Sequence, residues 1–294
     1  MGPGRKLWNP NQYLKFGSAR LKPAVDLLSR ATVMCSEPSK VRRVIDLGCG
    51  PGNCTELLLK AFPSASYVGL DSSKDMIDSA VTANLDFKQA SFRVGEIEAE
   101  AQKAAPADPY DIIFCNSALH WCADHHTLLP QLTRQLNPNG GILAIQMPET
   151  ALQTSHVLME TAAFRSGKLA EIQTVRIPRA EQTAPWYYKI LSPLMREVEV
   201  WSAEYLMQMP MPATSYSDTK GLAHPVLDFT RATGLLPIIE ALGGEDTADC
   251  QNYLNEYDRL LYEAYPAVKL NNKYVSDRYI SLFTFKRMFI VCKM

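Results

Sequence analysis

No apolar stretch in these 294 residues reaches the ~18 needed to cross a bilayer, so no membrane-spanning helix is expected. The opening MGPGRKLWNPNQYLKF carries no apolar core of the kind a secretory signal has. Lys6 stands where myristoylation of Gly2 wants Ser or Thr, and Cys292 lies one residue too late for prenylation. Seven cysteines in a chain of this length do not make the dense even framework of a small secreted scaffold. A soluble, cytoplasmic protein with reduced thiols is the expectation. An excess of positive charge is missing as well: 30 Lys and Arg against 31 Asp and Glu give a net charge of −1. That argues against a nucleic acid partner and leaves room for an acidic small molecule, since a pocket needs only a few cations. There is neither an internal repeat nor a low-complexity tract. What the chain does have is 47% hydrophobic and 21% charged residues, enough for a sizeable core.

Taken in order, apolar strand-like runs alternate with helical ones. Residues 11–30 are helical in two pieces, because Pro23 suits the first turn of a second helix and would break a continuous one. From Arg42 onward, strands are expected over 43–47, 66–70, 91–94, 110–115 and 141–147, with helices over 55–61, 74–83 and 127–136. Residues 96–105 read as a charged, solvated stretch. The alternation implies an α/β fold, a mostly parallel sheet with helices on both faces. Beyond Pro148 the pattern is mostly helical, apart from strand-like 197–205 and 288–292, which would complete a seven-stranded sheet. One elaborated domain is expected: lid helices over 1–35, a ligand-binding core over 36–150, and a helical lid with the last two strands over 151–294.

The most informative segment is Val44-Ile45-Asp46-Leu47-Gly48-Cys49-Gly50-Pro51-Gly52-Asn53, a strand entering a glycine-rich turn that opens a helix. Dinucleotide sites want G-x-G-x-x-G, where the pyrophosphate meets a helix N-terminus. Here the glycines are 48, 50 and 52, the third dinucleotide position falls on Asn53, and Pro51 removes an amide donor. The loop therefore suits a ligand without a pyrophosphate, and an oxidoreductase is disfavoured. Asp71, ~20 residues on at the end of the second strand, is placed for ribose hydroxyls. Glu96 could accept from an adenine amino group, and Asp46 could meet an ammonium. A nucleoside carrying an amino acid is thereby described, S-adenosyl-L-methionine. Cys49, Asn53, Ser72, Met76, Ile97 and Asn116 flank these positions and complete the candidate cofactor set. The alternative is an ordinary tight turn beside a structural Asp.

The chain resembles the trans-aconitate methyltransferase family of class I methyltransferases. The resemblance runs from Trp8-Asn9-Pro10 with Tyr13, Phe16 and Arg20 through DLGCGPGN, GLDSSKDMI and NSALHWCADHH. It continues in IQMPETALQTSHVLM (145–159), WYYKIL (186–191), QMP (208–210), RATGLLP (231–237) and FKRMFIV (285–291). It implies a Rossmann-like fold and transfer of a methyl group from S-adenosylmethionine to a carboxylate of a small di- or tricarboxylic acid, giving a methyl ester. Two positions depart from it: Leu236 stands where the family pattern calls for Arg, and Ile238 where it calls for Trp. A guanidinium lost from a polyanion pocket would weaken recognition of a third carboxylate, which makes a less charged dicarboxylic acid a competing substrate.

A carboxylate is already ionised at pH 7, so no general base is needed and none is assigned; alignment and exclusion of water are what the site must supply. Tyr13, Phe16 and Arg20 share one helical face; the family implies that the aromatics cover the cofactor and Arg20 meets a carboxylate of cofactor or substrate, whereas spacing alone favours a packing helix with a solvated Arg. Lys22 is a further cationic candidate. His120 and Trp121, after the fourth strand, would orient the acceptor or else form a packing cluster at a helix start. Gln146 and His156 flank the fifth strand and could hold an acid. Tyr187 and Tyr188 could donate to carboxylates or fill the core. Arg287 sits inside the last strand pattern and calls for an anionic partner, protein or substrate. His120, Cys122, His125 and His126 imitate a metal site, but their spacing matches no common zinc pattern and no metal is expected. Competing readings are a methyltransferase acting on a hydroxyl, thiol or amine of a secondary metabolite, with His120 or His156 as its base, and a non-enzymatic S-adenosylmethionine-binding scaffold. The chain is expected to act as a monomer or homodimer.

Overall fold

The apolar runs that alternate with helices build one sheet. The computed structural model describes residues 17–104, 107–212, 214, 215, 217, 222–231, 233–272 and 275–294. In chain order they form α1 (Gly17–Met34), β1 (Arg43–Leu47), α2 (Thr55–Ala61), β2 (Ser66–Asp71), α3 (Lys74–Ala83), β3 (Ala90–Val94), α4 (Ile97–Ala101) and β4 (Ile112–Asn116). Next come α5 (His125–Thr133), β5 (Ile142–Pro148), α6 (Thr154–Arg165), α7 (Leu169–Ile172), α8 (Ala184–Leu191) and β6 (Glu197–Pro210). The chain continues with α9 (Pro225–Arg231), α10 (Leu236–Ala241), α11 (Ala248–Ala264), β7 (Val268–Asn272) and β8 (Val275–Lys293). The order across the sheet is β3-β2-β1-β4-β5-β8-β6, with β7 paired to β8 off this path. β1 to β5 are mutually parallel and β8 runs antiparallel to β5, from Ile142 opposite Lys293 to Pro148 opposite Arg287. The winding reverses between β1 and β4, and the crevice outside their carboxyl ends is where such sheets receive ligands.

Four expectations are corrected. The first helix is not broken at Pro23; α1 passes through it. Ala24, Leu27, Leu28, Ala31 and Met34 are all buried on one face, against β4 and β5, and this burial outweighs the one hydrogen bond that proline forfeits. The stretch after β3 is not wholly solvated, because α4 buries Ile97, Glu100 and Ala101. Glu100 is held there by Arg93 (2.7 Å), Lys103 (2.6 Å) and the Tyr110 hydroxyl (3.3 Å). The helix expected over 127–136 begins earlier, at His125, where Asp124 caps it through the Thr127 amide, and it ends at Thr133. The seven expected strands form the path across the sheet, and an eighth, β7, pairs with β8 beside it. β8 is also far longer than 288–292: Phe283 and Phe285 point inward while Leu282 and Thr284 point out, the period-two pattern of a strand.

The chain divides into two compact units. One comprises residues 1–149, 179–203 and 287–294, and the other residues 150–178 and 204–286. In the first, the central strands are sealed on both faces; Ile112, Phe114, Cys115, Leu143, Ala144 and Ile145 have no measurable exposure. The second is built on α6 and α11, joined by tyrosines: the Tyr257 hydroxyl donates to the Ser155 carbonyl at 3.0 Å and that of Tyr253 to the Met159 carbonyl at 3.3 Å.

Candidate functional site

The glycine loop connects β1 to α2 and is stitched to the end of β2. The amides of Gly48 and Cys49 both donate to the Leu70 carbonyl, at 2.7 and 2.9 Å. Asp71, the next residue, accepts the Gly50 amide on one carboxylate oxygen and the Ser73 amide on the other, each at 2.9 Å. Burial raises its carboxyl while those two amides pull it back. Gly48 adopts φ 72°, and a Cβ there would fall 2.1 Å from the Cβ of Ala118, so only glycine lets the turn after β4 lie against the loop. Gly50, at φ 54°, faces open space.

Above the loop lies a cavity lined by Leu21, Asp46, Gly48, Cys49, Gly50, Asn53, Cys54 and Asn116. Asp46 is 2% exposed and accepts the Tyr67 hydroxyl at 3.0 Å. Burial pushes its carboxyl up to about 7, with the Tyr67 bond opposing and the charge of Asp71 adding to the rise. The Asn116 Oδ1 is buried and accepts no hydrogen bond among the described residues. Burial and the nearby Asp46 raise the Cys49 and Cys54 thiols, so neither is a thiolate nucleophile. Among the described residues, no Lys or Arg lines the cavity. A carboxylate, an orphaned amide oxygen and close backbone suit a ligand bearing an ammonium group, and Asp71 at the loop's rim suits ribose hydroxyls. That donor and acceptor set fits S-adenosylmethionine and offers nothing to a pyrophosphate.

A second polar cluster sits at the carboxyl ends of β4 and β5. Asn116 and Gln146 are register partners. Ser117, just past Asn116, has φ 58°, and its hydroxyl lies 2.8 Å from the Gln146 Oε1. Nη1 of Arg287, on β8, donates to the same hydroxyl at 3.2 Å. Gln146 is wholly buried and Arg287 is 6% exposed. His120 and Trp121 occupy a single 3-10 turn immediately downstream, with ring centroids 5.6 Å apart.

The structure thus brings Asp46, Gly48, Cys49, Gly50, Asn53 and Asn116 around one cavity, ties Asp71 to it, and sets Gln146 and Arg287 beside Asn116. Met76 and Ile97 are buried, the former at the start of α3, and Ser72 is exposed beside Asp71. Glu96 is exposed two residues beyond β3. Lys22 is exposed on α1, one position from the cavity-lining Leu21. Tyr13 and Phe16 lie outside the described residues, as does the side chain of Arg20. Tyr187 is corrected from substrate donor to core residue: wholly buried, its hydroxyl is 2.7 Å from the His125 Nδ1 and accepts the Glu181 amide at 3.2 Å. The other His125 nitrogen is 3.0 Å from the Leu119 carbonyl, so that ring is a structural brace. Tyr188 is half exposed on a separate groove with Arg30 and Trp201. His156 belongs to the second unit, where its Nδ1 is 3.1 Å from the Ser155 hydroxyl and its ring packs on Phe285. Leu236 opens α10 in that same unit. Sequence reasoning missed Leu21, Cys54, Tyr67 and Ser117. Cys54, the residue directly after the loop, carried the clearest sequence signal of these.

Residues 38–197 match a family model described as a methyltransferase domain. A protein of Azoarcus sp. (strain BH72) named trans-aconitate 2-methyltransferase is 37% identical over 285 residues, 97% of this chain and 98% of that protein. Proteins of the same name from Variovorax paradoxus (strain S110), 37% identical over 294 residues, and Escherichia coli (strain K12 / DH10B), 36% identical over 286 residues, give the same coverage.

Proposed function

Because the chain belongs to the trans-aconitate methyltransferase family of S-adenosylmethionine-dependent methyltransferases, we propose that it esterifies a carboxylate of a small di- or tricarboxylic acid. The observation that carries this reading is the buried donor cluster of Arg287, Ser117 and Gln146 beside the cavity-lining Asn116. A buried guanidinium with an adjacent amide suits an anionic acceptor and would repel an ammonium one.

When bound, S-adenosylmethionine supplies a methyl group on a positively charged sulfur, open to attack by an acceptor oxygen. Asp46 and the Asn116 Oδ1 would take its ammonium, Asp71 its ribose hydroxyls, and the loop at Gly48 and Gly50 would let the ligand approach the backbone closely. Arg287 and Gln146 would hold the acid, leaving its attacking oxygen only lightly hydrogen-bonded. Strong donors to that oxygen would lower its nucleophilicity. No residue has to remove a proton, because the acid arrives ionised. Alignment and exclusion of water are the enzyme's contribution.

Trans-aconitate is the first acid to test, given what the relatives are named. The missing guanidinium at Leu236 makes a dicarboxylate its competitor. Incubation with S-adenosylmethionine and trans-aconitate, fumarate, an aromatic dicarboxylate and monoacid controls, followed by mass spectrometry, should give methyl ester and S-adenosylhomocysteine in equal amounts from at least one polyacid. At saturating cofactor the turnover should be flat from about pH 6 to 9, because carboxylate pKa values lie well below that window. No ester from any acid, or a rate that climbs steadily with pH, overturns the carboxylate reading in favour of a base-dependent acceptor.

A further inference from the structure

We propose that Ser117 is a positioning residue: it fixes which way the Gln146 amide points, so that Gln146 Nε2 is presented as a donor to a carboxylate of the acceptor acid. The proposal rests on the carboxylate reading above and deepens it.

The argument begins with the backbone. Ser117 is one of two non-glycine residues with positive φ among the described residues, at 58°. A side chain in that conformation is strained, and such strain persists only where the surroundings impose it. The Ser117 amide donates to the Gln146 carbonyl at 2.8 Å, which anchors the residue at the end of the β4–β5 ladder. The left-handed turn then brings its hydroxyl 2.8 Å from the Gln146 Oε1 and 3.2 Å from the Arg287 Nη1.

Polarity follows from chemistry. A guanidinium has donors and no acceptor, so Ser117 Oγ must accept from Arg287. The hydroxyl's single proton is donated to the Gln146 Oε1 that faces it at 2.8 Å, so each of the three groups is paired in the direction its chemistry allows. This chain of donation favours the amide with Oε1 toward Ser117, because a flipped amide would leave the hydroxyl proton without that acceptor, and it turns Nε2 away. Gln146 is wholly buried, and its Nε2 has no hydrogen-bond partner among the described residues. A buried NH2 left unsatisfied is destabilising, which a ligand acceptor would relieve. Asn116, its register partner, carries the complementary orphan, an unpaired acceptor that lines the cofactor cavity. An orphan acceptor toward a ligand ammonium and an orphan donor one strand away are what a site taking a cationic and an anionic ligand side by side requires.

The test compares Ser117→Gly, which suits the left-handed backbone and lacks the hydroxyl, with Ser117→Ala, which lacks both advantages. Steady-state kinetics would use whichever acid the wild type esterifies best. Calorimetry would follow binding of that acid to the complex with S-adenosylhomocysteine. Both variants should raise the KM and the Kd for the acid at least about tenfold. Turnover should stay within about threefold, and S-adenosylhomocysteine affinity within about twofold. Gln146→Glu, which replaces the donor by a negative charge, should abolish acid binding and leave S-adenosylhomocysteine binding intact. Wild-type acid affinity in Ser117→Gly overturns the proposal, since the hydroxyl then does nothing. Equal losses of acid and S-adenosylhomocysteine binding overturn it as well, because the role is then structural. A wild type that esterifies and binds no acid removes the carboxylate reading itself and this proposal with it, an outcome separable from the other two.

Discussion

Burial pushes the Asp46 carboxyl up to about 7, so if it takes the ligand's ammonium, as proposed, binding is proton-linked. At pH 8 it is mostly ionised and ready to pair; at pH 6 it is mostly protonated, and binding must expel the proton. S-adenosylhomocysteine should therefore bind about tenfold more weakly at pH 6 than at pH 8. For folding the sign is reversed. The folded value lies above the unfolded one, so the stability this group contributes is complete below about 4 and is lost as pH rises through about 7. Asp46→Asn should thus raise Tm at pH 8 by roughly 2–6 °C while weakening S-adenosylhomocysteine and flattening its pH dependence. Calorimetry at pH 6, 7 and 8 with a melt at pH 8 checks both halves, and a pH-independent wild-type affinity removes Asp46 from the ammonium site. The glycines separate folding from binding in another way. Gly48→Ala drives a methyl group into Ala118 and should cost about 3 kcal/mol or more. Gly50→Ala meets nothing and should cost only about 1 kcal/mol, yet its methyl group would project into the cavity. A thermal melt and a binding titration should show Gly48→Ala failing in both and Gly50→Ala failing in binding alone; a Gly50→Ala protein that binds as the wild type does would detach the loop from the ligand.

At the scale of elements, burial decides more than local preference does. α1 contains a proline and still holds, because Leu27 and Ala31 have no exposure. Leu27→Ala should cost ~2–5 kcal/mol in a urea melt, whereas breaking the half-exposed pair of Arg30 and Glu199 should leave the midpoint unmoved. A larger effect from the ion pair would reverse that ranking. The same contest explains what could be read in advance. Strand β1 and helices α2 and α3 have the boundaries expected from their apolar spacing. The stretch around α4 was misjudged because a glutamate counts as polar until its partners are known, and Arg93, Lys103 and Tyr110 lie on other parts of the chain or a turn away. β7 was missed because VKLNN has little apolar signal and gains its place only by pairing with β8.

For the whole molecule, the glycine loop and the sheet's parallel half were legible because their signals are local, a strand and its turn within ten residues. The polar cluster around Ser117 was legible only in pieces. Gln146 and Arg287 stood out as polar groups in apolar strands, but their junction at Ser117 depends on a backbone angle that no spacing encodes and on β8 lying beside β5. That placement has a consequence in time. β5 is complete at Pro148, and the residue that pairs with it there is Arg287, roughly 140 positions later. At a synthesis rate of about 10 residues per second, the nascent chain carries an unsatisfied β5 edge for on the order of 10 s before its partner is made. Ribosome pausing within α6 to α11 would lengthen that exposure, and chaperone demand should track the pause.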